Sequence, residues 1–388
     1  KISTVGEMVK LVEEKMSELQ MNQLSKSQFF FFTMHAQFGM AILTLPHILG
    51  LKAGHDGWLS IIICGLFVFA LSLLYYVIVK RYPNKNFFDI TIDVFGKTVG
   101  KLVNIVLITY YFLYAVLIAQ KCTAVLNLWL YYRTPPWVLI SLFIFICYYI
   151  VTADLQIIGR FLVLSSFFIF LILFFVTWTI DDLNPLYLLP VGEAGVTNIL
   201  RGSFNGITAF AGFETFLFIH AFTAGTVKEK FKWERISILV VGLFYLITSL
   251  ICFMYFPNAA KNIEHPVVYL LVPTKFTLLE RIEVFFLAGW VVVMLTSCMC
   301  FLYVCCLGIG RLRKRADHKK EVGVVAVLMF VFAILAQQVD NQIFWITVES
   351  IQLYYTYVTI LLIPLLVAGF AILKGRKVSR NWPISKAS

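Results

Sequence analysis

Long apolar runs along this chain alternate with short polar breaks, most of them basic. Runs of about 20 apolar residues match the length at which a helix, rising 1.5 Å per residue, crosses a bilayer core. The pattern predicts ten such segments, at about 27–49, 57–79, 100–129, 136–151, 161–178, 201–222, 236–256, 282–307, 322–336 and 343–373. Lys80-Arg81-Tyr82-Pro83 stops the second. Between the second and third, Phe87, Phe88, Ile90, Ile92, Val94 and Phe95 sit among polar residues, which predicts an interfacial helix over 86–97. The long connection 257–276 carries a matching short apolar piece over 267–272. A loop with Pro185, Pro190 and Gly192 is expected over 181–196. Residues 1–26 place Val5, Met8, Val9, Val12 and Met16 at helical spacing without the apolar stretch of a signal peptide. They are expected to form a cytoplasmic amphipathic segment. Residues 374–388 form a basic cytoplasmic tail.

Two of the predicted spans are weakened in the middle. Gln37-Phe38-Gly39-Met40 interrupts the first and Phe210-Ala211-Gly212-Phe213-Glu214 the sixth. Glycine is a poor residue for a helix interior. Backbone exposed at mid-membrane survives only where it lines a cavity or is held by protein. Gly39 lies 12 residues beyond Ser27, and Gly212 lies 11 beyond Arg201. Each break is therefore roughly 17–18 Å from the face its span starts on, near the midplane. The two spans run in opposite directions, five spans apart. The fold expected is an all-α membrane protein of ten transmembrane helices in a 5+5 inverted repeat, LeuT-like, with helices 1 and 6 broken. Repeat one covers about 27–178 and repeat two about 201–373. Residue identity between the halves is negligible, so the repeat is one of position.

Composition agrees with membrane residence. Of 388 residues, 60 % are hydrophobic and 14 % charged, against about 45–50 % and about 25 % in a soluble domain. The net charge of +11 would suit nucleic acid in a soluble protein. Here most of the 32 Lys and Arg flank the spans on the side of the N-terminus, which predicts both termini in the cytoplasm and no nucleic-acid partner. The eight cysteines lie in apolar runs with no His or carboxylate at ligand spacing, so neither a metal site nor a disulfide framework is expected. Phosphate loops, His-Glu-x-x-His and nucleophile elbows are missing from the sequence. An enzyme is not expected, nor a cofactor.

The candidate chemistry gathers at the breaks. A broken helix offers carbonyls at the end of its first half and N–H groups at the start of its second, suited to an ammonium and a carboxylate respectively. The candidate ligand-binding residues are Gln37, Phe38, Gly39, Met40, Phe210, Gly212, Phe213 and Glu214 at the breaks. Tyr110 and Tyr114 join them from mid-span three, and Thr296 and Ser297 from mid-span eight. Tyr111 and residues 354–357 of span ten lie at the same depth. Glu214 is the deepest carboxylate by this count and a functional candidate on that ground. His35, at similar depth, makes a candidate ionisable pair with it. His220 lies nearer the cytoplasm and is expected to pack or sit at the interface.

Ser27-Gln-Phe-Phe-Phe-Phe32, Gln37-Phe-Gly-Met-Ala-Ile-Leu-Thr-Leu-Pro46 and Ala53-Gly-His-Asp-Gly-Trp-Leu59, with Gly212-Phe-Glu-Thr215 and Tyr187-Leu-Leu-Pro190, resemble the integral-membrane B subunit of bacterial spore germinant receptors. That family belongs to the amino acid–polyamine–organocation transporter superfamily. The resemblance spans nearly the whole chain. It implies a receptor subunit in the inner membrane of the spore that binds a small nutrient, often an amino acid. It also implies assembly with an A subunit and a lipoprotein C subunit within the lipid bilayer. A working amino acid or polyamine transporter of the same fold is the alternative.

Overall fold

The structure is a computed structural model. It describes residues 23–256, 262–273, 281–315, 317–339 and 342–373. Most of the expected N-terminal amphipathic segment, and the basic tail, lie outside the described residues. The described chain is almost entirely helical: α1 (Lys26–Gln37), α2 (Ala41–Ala53), α3 (Gly57–Arg81), α4 (Phe87–Phe95), α5 (Lys97–Trp129), α6 (Pro136–Val151), α7 (Leu155–Thr177), α8 (Gly195–Gly206), α9 (Phe216–Ile219), α10 (Val227–Tyr255), α11 (Pro266–Leu271), α12 (Ile282–Leu312), α13 (Lys319–Gln337), α14 (Gln342–Tyr357) and α15 (Ile363–Leu373).

Local sequence sets the helix starts. At the head of α1 the Ser25 hydroxyl accepts from the Gln28 N–H (3.2 Å), while the Gln28 side chain accepts from the Ser25 N–H (2.9 Å). Thr226 and Glu229 form the same reciprocal cap on α10. Asn86 caps α4. Pro136 and Pro266 occupy first-turn positions, where a missing N–H costs nothing.

Seven stretches among the described residues are long and apolar enough to cross a membrane. The continuous stretch Ala41–Arg81 counts as one of them; α6 and Phe213–Phe222 are apolar but shorter. Length alone therefore does not reproduce the expected ten. Spans one and six are each divided at their break, and α6 has only 16 residues. The interfacial helix falls at α4 and its counterpart at α11, as the repeat requires. Several boundaries differ from expectation: the fifth span starts at Leu155 rather than 161, and the seventh at Val227 rather than 236. The first span runs past the expected 49, because Pro46 is taken inside α2 and the helix continues to Ala53. The sixth begins at Gly195, some two turns before Arg201.

α12 is the central post, with 89 % of its most apolar stretch buried against 33–56 % in the other six. It lies along α5 and also packs on α7, α6, α13 and α1. The periphery is apolar and open: Leu66, Phe145, Tyr149, Leu164, Phe167 and Phe170 are all exposed, as lipid-facing side chains should be. In the last span a π-turn over 358–362 precedes Pro364. Pro364 has no N–H for the Ile360 carbonyl, and the Tyr75 hydroxyl of α3 donates to that carbonyl instead (2.7 Å). At the far end of the bundle, Asp56 of the Gly-His-Asp-Gly motif is fully buried. It accepts from the N–H groups of Gly192 (2.8 Å) and Ala194 (2.9 Å), which pins the 181–196 loop.

Candidate functional site

At the first break α1 ends on Gln37, Phe38 is extended (φ −80°, ψ 127°), and α2 begins at Ala41. The carbonyls released here are met by side chains from two neighbours. Tyr245 of α10 donates to the Gln37 carbonyl (2.8 Å). From α12, Ser297 donates to the Ala36 carbonyl and Trp290 Nε1 to that of Gly39, each at 3.4 Å. Phe38 is fully buried and meets Phe244 and Tyr245 edge-on.

At the second break α8 runs into a 3-10 turn over 207–210, the chain extends at Ala211, and Gly212 takes φ +116°. Only glycine tolerates that conformation without strain. Its N–H donates to Glu214 Oε2 (2.7 Å), and its carbonyl accepts from Thr215 Oγ1 (2.7 Å) and the Thr215 N–H (3.0 Å). A Cβ placed on Gly212 would stand 2.3 Å from the Ala36 carbonyl oxygen and 2.8 Å from the Gln37 nitrogen. The two breaks thus touch, backbone to backbone. Gly39 differs: a Cβ there would meet Ser297 Oγ at 3.5 Å, an ordinary contact.

The expected residues divide into those at the junction and those beside it. Glu214 is buried, with Oε1 accepting from the Tyr110 hydroxyl (3.2 Å). Tyr114 donates to the Thr208 carbonyl (3.2 Å) and stacks on Phe301, so Tyr110 and Tyr114 of α5 both hold the second break. Phe210 packs edge-on against Tyr245, and Phe213 stacks on Tyr75. Met40 is half-buried where α2 starts. Gln37 Nε2 donates to the Thr33 carbonyl (2.9 Å) and to Ser237 Oγ (3.0 Å).

His35 and Glu214 do not form a hydrogen-bonded pair. His35 is held by Thr296 Oγ1 (2.8 Å) and Ser166 Oγ (3.0 Å), on α12 and α7. Those two hydroxyls also reach the carbonyls of Val293 (2.7 Å) and Leu162 (2.8 Å). Thr296 therefore anchors His35 rather than the break, whereas Ser297, one residue on, reaches it. His35 is on the face of α1 turned to α7 and α12, which depth along the sequence cannot reveal. Span ten contributes Tyr355, packed on Tyr110 (5.6 Å between rings), and Thr356, near the Tyr110 and Tyr114 hydroxyls. Tyr354 is 62 % exposed and points away. His220 is buried and lies against the Tyr82 carbonyl (3.4 Å), a packing role.

Four residues at the junction were missed: Tyr75, Glu234, Tyr245 and Trp290. The aromatic three were hidden among the many aromatics of the chain. Glu234 belongs to the stretch 226–235 that reads as a basic turn; α10 in fact starts at Val227, so Glu234 lies two turns inside a helix and is fully buried.

A model of the family described as "Spore germination protein" (Spore_permease) matches residues 23–344. The chain belongs to the spore germination protein family. Curated relatives include Spore germination protein GerQB of Bacillus cereus, 25 % identical over 82 % of this chain and 88 % of its own. Spore germination protein A2 of Bacillus subtilis (strain 168) is 24 % identical over 87 % of this chain and 92 % of its own. The fold of this spore germination protein is LeuT-like, shared with transporters of solved structure. MhsT in complex with L-phenylalanine superposes with a TM-score of 0.67 at 15 % identity, covering 92 % of this chain and 91 % of that one. MHP1, a nucleobase-cation-symport-1 family transporter, gives 0.62 at 11 % identity, covering 92 % and 81 %. A Na+-coupled sialic acid symporter gives 0.60 at 14 % identity, covering 88 % and 78 %.

Proposed function

We propose that this germination protein is a nutrient-sensing subunit that binds a small germinant, an amino acid in the first instance, between its two breaks. The observation that carries this reading is the contact of Gly212 with the Ala36–Gln37 backbone. Two helix breaks meeting at mid-membrane bring a helix C-terminus and a helix N-terminus together. Those ends suit the ammonium and carboxylate of a zwitterion. In this conformation the carbonyls of the first break are occupied by Tyr245, Ser297 and Trp290. A ligand must therefore displace protein donors and favour a packing in which the breaks separate. A ligand shifts an equilibrium only by its differential affinity for the two states, and that exchange supplies the difference. The change would pass to an A subunit and a lipoprotein C subunit in the spore inner membrane, with both termini of this chain cytoplasmic.

Secondary transport of an amino acid or polyamine is the second reading, favoured by the transporter fold. Labelled amino acids presented to vesicles containing this chain alone separate the two. Saturable binding without accumulation is expected; concentrative uptake would replace the sensor with a transporter. Gly212→Leu is expected to abolish the nutrient response of spores while the protein still inserts, and an unchanged dose–response would remove the site from the breaks.

A further inference from the structure

Among the described residues, Glu234 is the buried acid whose carboxyl oxygens both lack a hydrogen-bond partner. It is fully buried. Thr33 of α1 lies beside it but donates to the carbonyls of Phe29 and Phe30. One turn further along the same interface, Gln37 Nε2 bonds Ser237 of α10 and the Thr33 carbonyl. That carbonyl can only accept, so the orientation of the amide is fixed. Gln37 Oε1 is then also buried without a donor. Thr33 and Gln37 are four residues apart on α1, and Glu234 and Ser237 three apart on α10. Both pairs face one another across a single helix–helix seam.

The charged and titratable groups around this seam are engaged elsewhere. On α10, Lys230 donates to the His220 carbonyl (2.7 Å), Glu229 pairs with Lys26, and the Arg235 guanidinium lies over Phe69 (3.8 Å). On α1, His35 is bonded to Thr296 and Ser166. On α3, Tyr75 donates to Ile360, and Glu214 at the second break accepts from Gly212 and Tyr110. Of the other helices packed on α10, α2 carries His47 and Lys52 in its later turns, and Arg160 of α7 is exposed.

Three acceptor oxygens at the seam, both of Glu234 and Oε1 of Gln37, therefore receive no hydrogen bond. A single proton corrects this. Bound to Glu234, it removes an uncompensated charge from a low-dielectric interior and creates the one O–H that Gln37 Oε1 needs. We propose that Glu234 is a proton-binding site of the membrane core, and that its protonated carboxyl donates to Gln37 Oε1, fastening the broken end of α1 to α10. When the proton leaves, the carboxylate and Gln37 Oε1 become two facing acceptors, and the seam loosens beside the break. By linkage, whatever moves the end of α1 changes proton occupancy at Glu234, and proton occupancy changes the ease of that movement. The site does not depend on which nutrient the breaks take.

The test is infrared spectroscopy of the full chain in lipid nanodiscs, following the protonated-carboxyl C=O band and its shift in D2O through a pH titration. Glu214→Gln identifies any band from Glu214. The expected result is a protonated-carboxyl band in the unsubstituted protein that is absent in Glu234→Gln and moves to higher frequency in Gln37→Leu, where the acceptor is gone. Glutamine copies the shape and donor of a protonated Glu, so Glu234→Gln is expected to fold. Should it not, Gln37→Leu decides alone. No such band in the unsubstituted protein, a band that survives Glu234→Gln, or one unmoved by Gln37→Leu would overturn the proposal.

Discussion

Gly39 and Gly212 look equivalent in the sequence, and the structure predicts that they respond very differently to one added methyl group. In Gly212→Ala the new Cβ would sit 2.3 Å from the Ala36 oxygen and 2.4 Å from its carbonyl carbon, more than an ångström inside the roughly 3.5 Å optimum for non-bonded atoms. The obstacle is backbone at the end of a helix and cannot swing aside. The φ of +116° adds about 1–2 kcal/mol for an L-residue in left-handed space, and overpacking adds about 1–3 kcal/mol. The sum, about 2–5 kcal/mol, corresponds to roughly 30-fold to several-thousand-fold at tenfold per 1.4 kcal/mol. It acts against the packing in which the breaks touch. In Gly39→Ala the Cβ meets only Ser297 Oγ at 3.5 Å, so a change under about 1 kcal/mol is expected. Thermal unfolding of the two variants in the same detergent, followed by tryptophan fluorescence, measures the contrast. Gly212→Ala should unfold well below Gly39→Ala. Equal unfolding temperatures would refute the backbone-to-backbone contact and the site built on it.

Other predictions follow from the same junction and from the cytoplasmic face. Tyr245→Phe strips the donor from the buried Gln37 carbonyl and should cost about 1–3 kcal/mol in chemical denaturation. Glu214→Gln leaves one acceptor where Gly212 N–H and the Tyr110 hydroxyl use two. A double-mutant cycle with Tyr110→Phe should therefore show a coupling of about 0.5–3 kcal/mol, and strict additivity would mean that the hydrogen bond is absent. His318 sits in the turn before α13, buried, with Nε2 donating to the Val151 carbonyl (2.9 Å). Burial holds its imidazole below the usual value of 6.5. A lowered folded pKa means that the neutral form stabilises the docked turn and that this stability is lost as pH falls below 6.5. Protection factors against hydrogen exchange over 313–315 and 317–319 should fall on acidification in the unsubstituted protein and stay level in His318→Asn.

What could be read from the sequence was set by one-dimensional quantities. Apolar run length located the helices, including the short α4 and α11, because hydrocarbon thickness fixes how many residues a span needs. Distance along the chain placed both breaks at one depth, and Gly212 against Ala36 is the physical form of that coincidence. Direction around a helix axis was not available in the same way. His35 and Gln37 are two residues apart, and on a helix that turns them to opposite sides, toward α7 and α12 in one case and α10 in the other. In a soluble helix polarity would mark the buried side. Here lipid-facing and core-facing positions are equally apolar, as Phe167 and Ile169 of α7 illustrate, one 64 % exposed and the other 4 %. Depth therefore suggested a His35–Glu214 pair that facing forbids. The same blindness hid Glu234. Its neighbours Lys232 and Arg235 gave the stretch a basic, interfacial look, and only the capped start of α10 at Thr226 carries it inside. The cap was itself legible, since Thr226 followed three residues later by Glu229 is a helix-start signature. Counting two turns from that cap, rather than from the first long apolar run, would have placed a carboxylate in the core beside the first break.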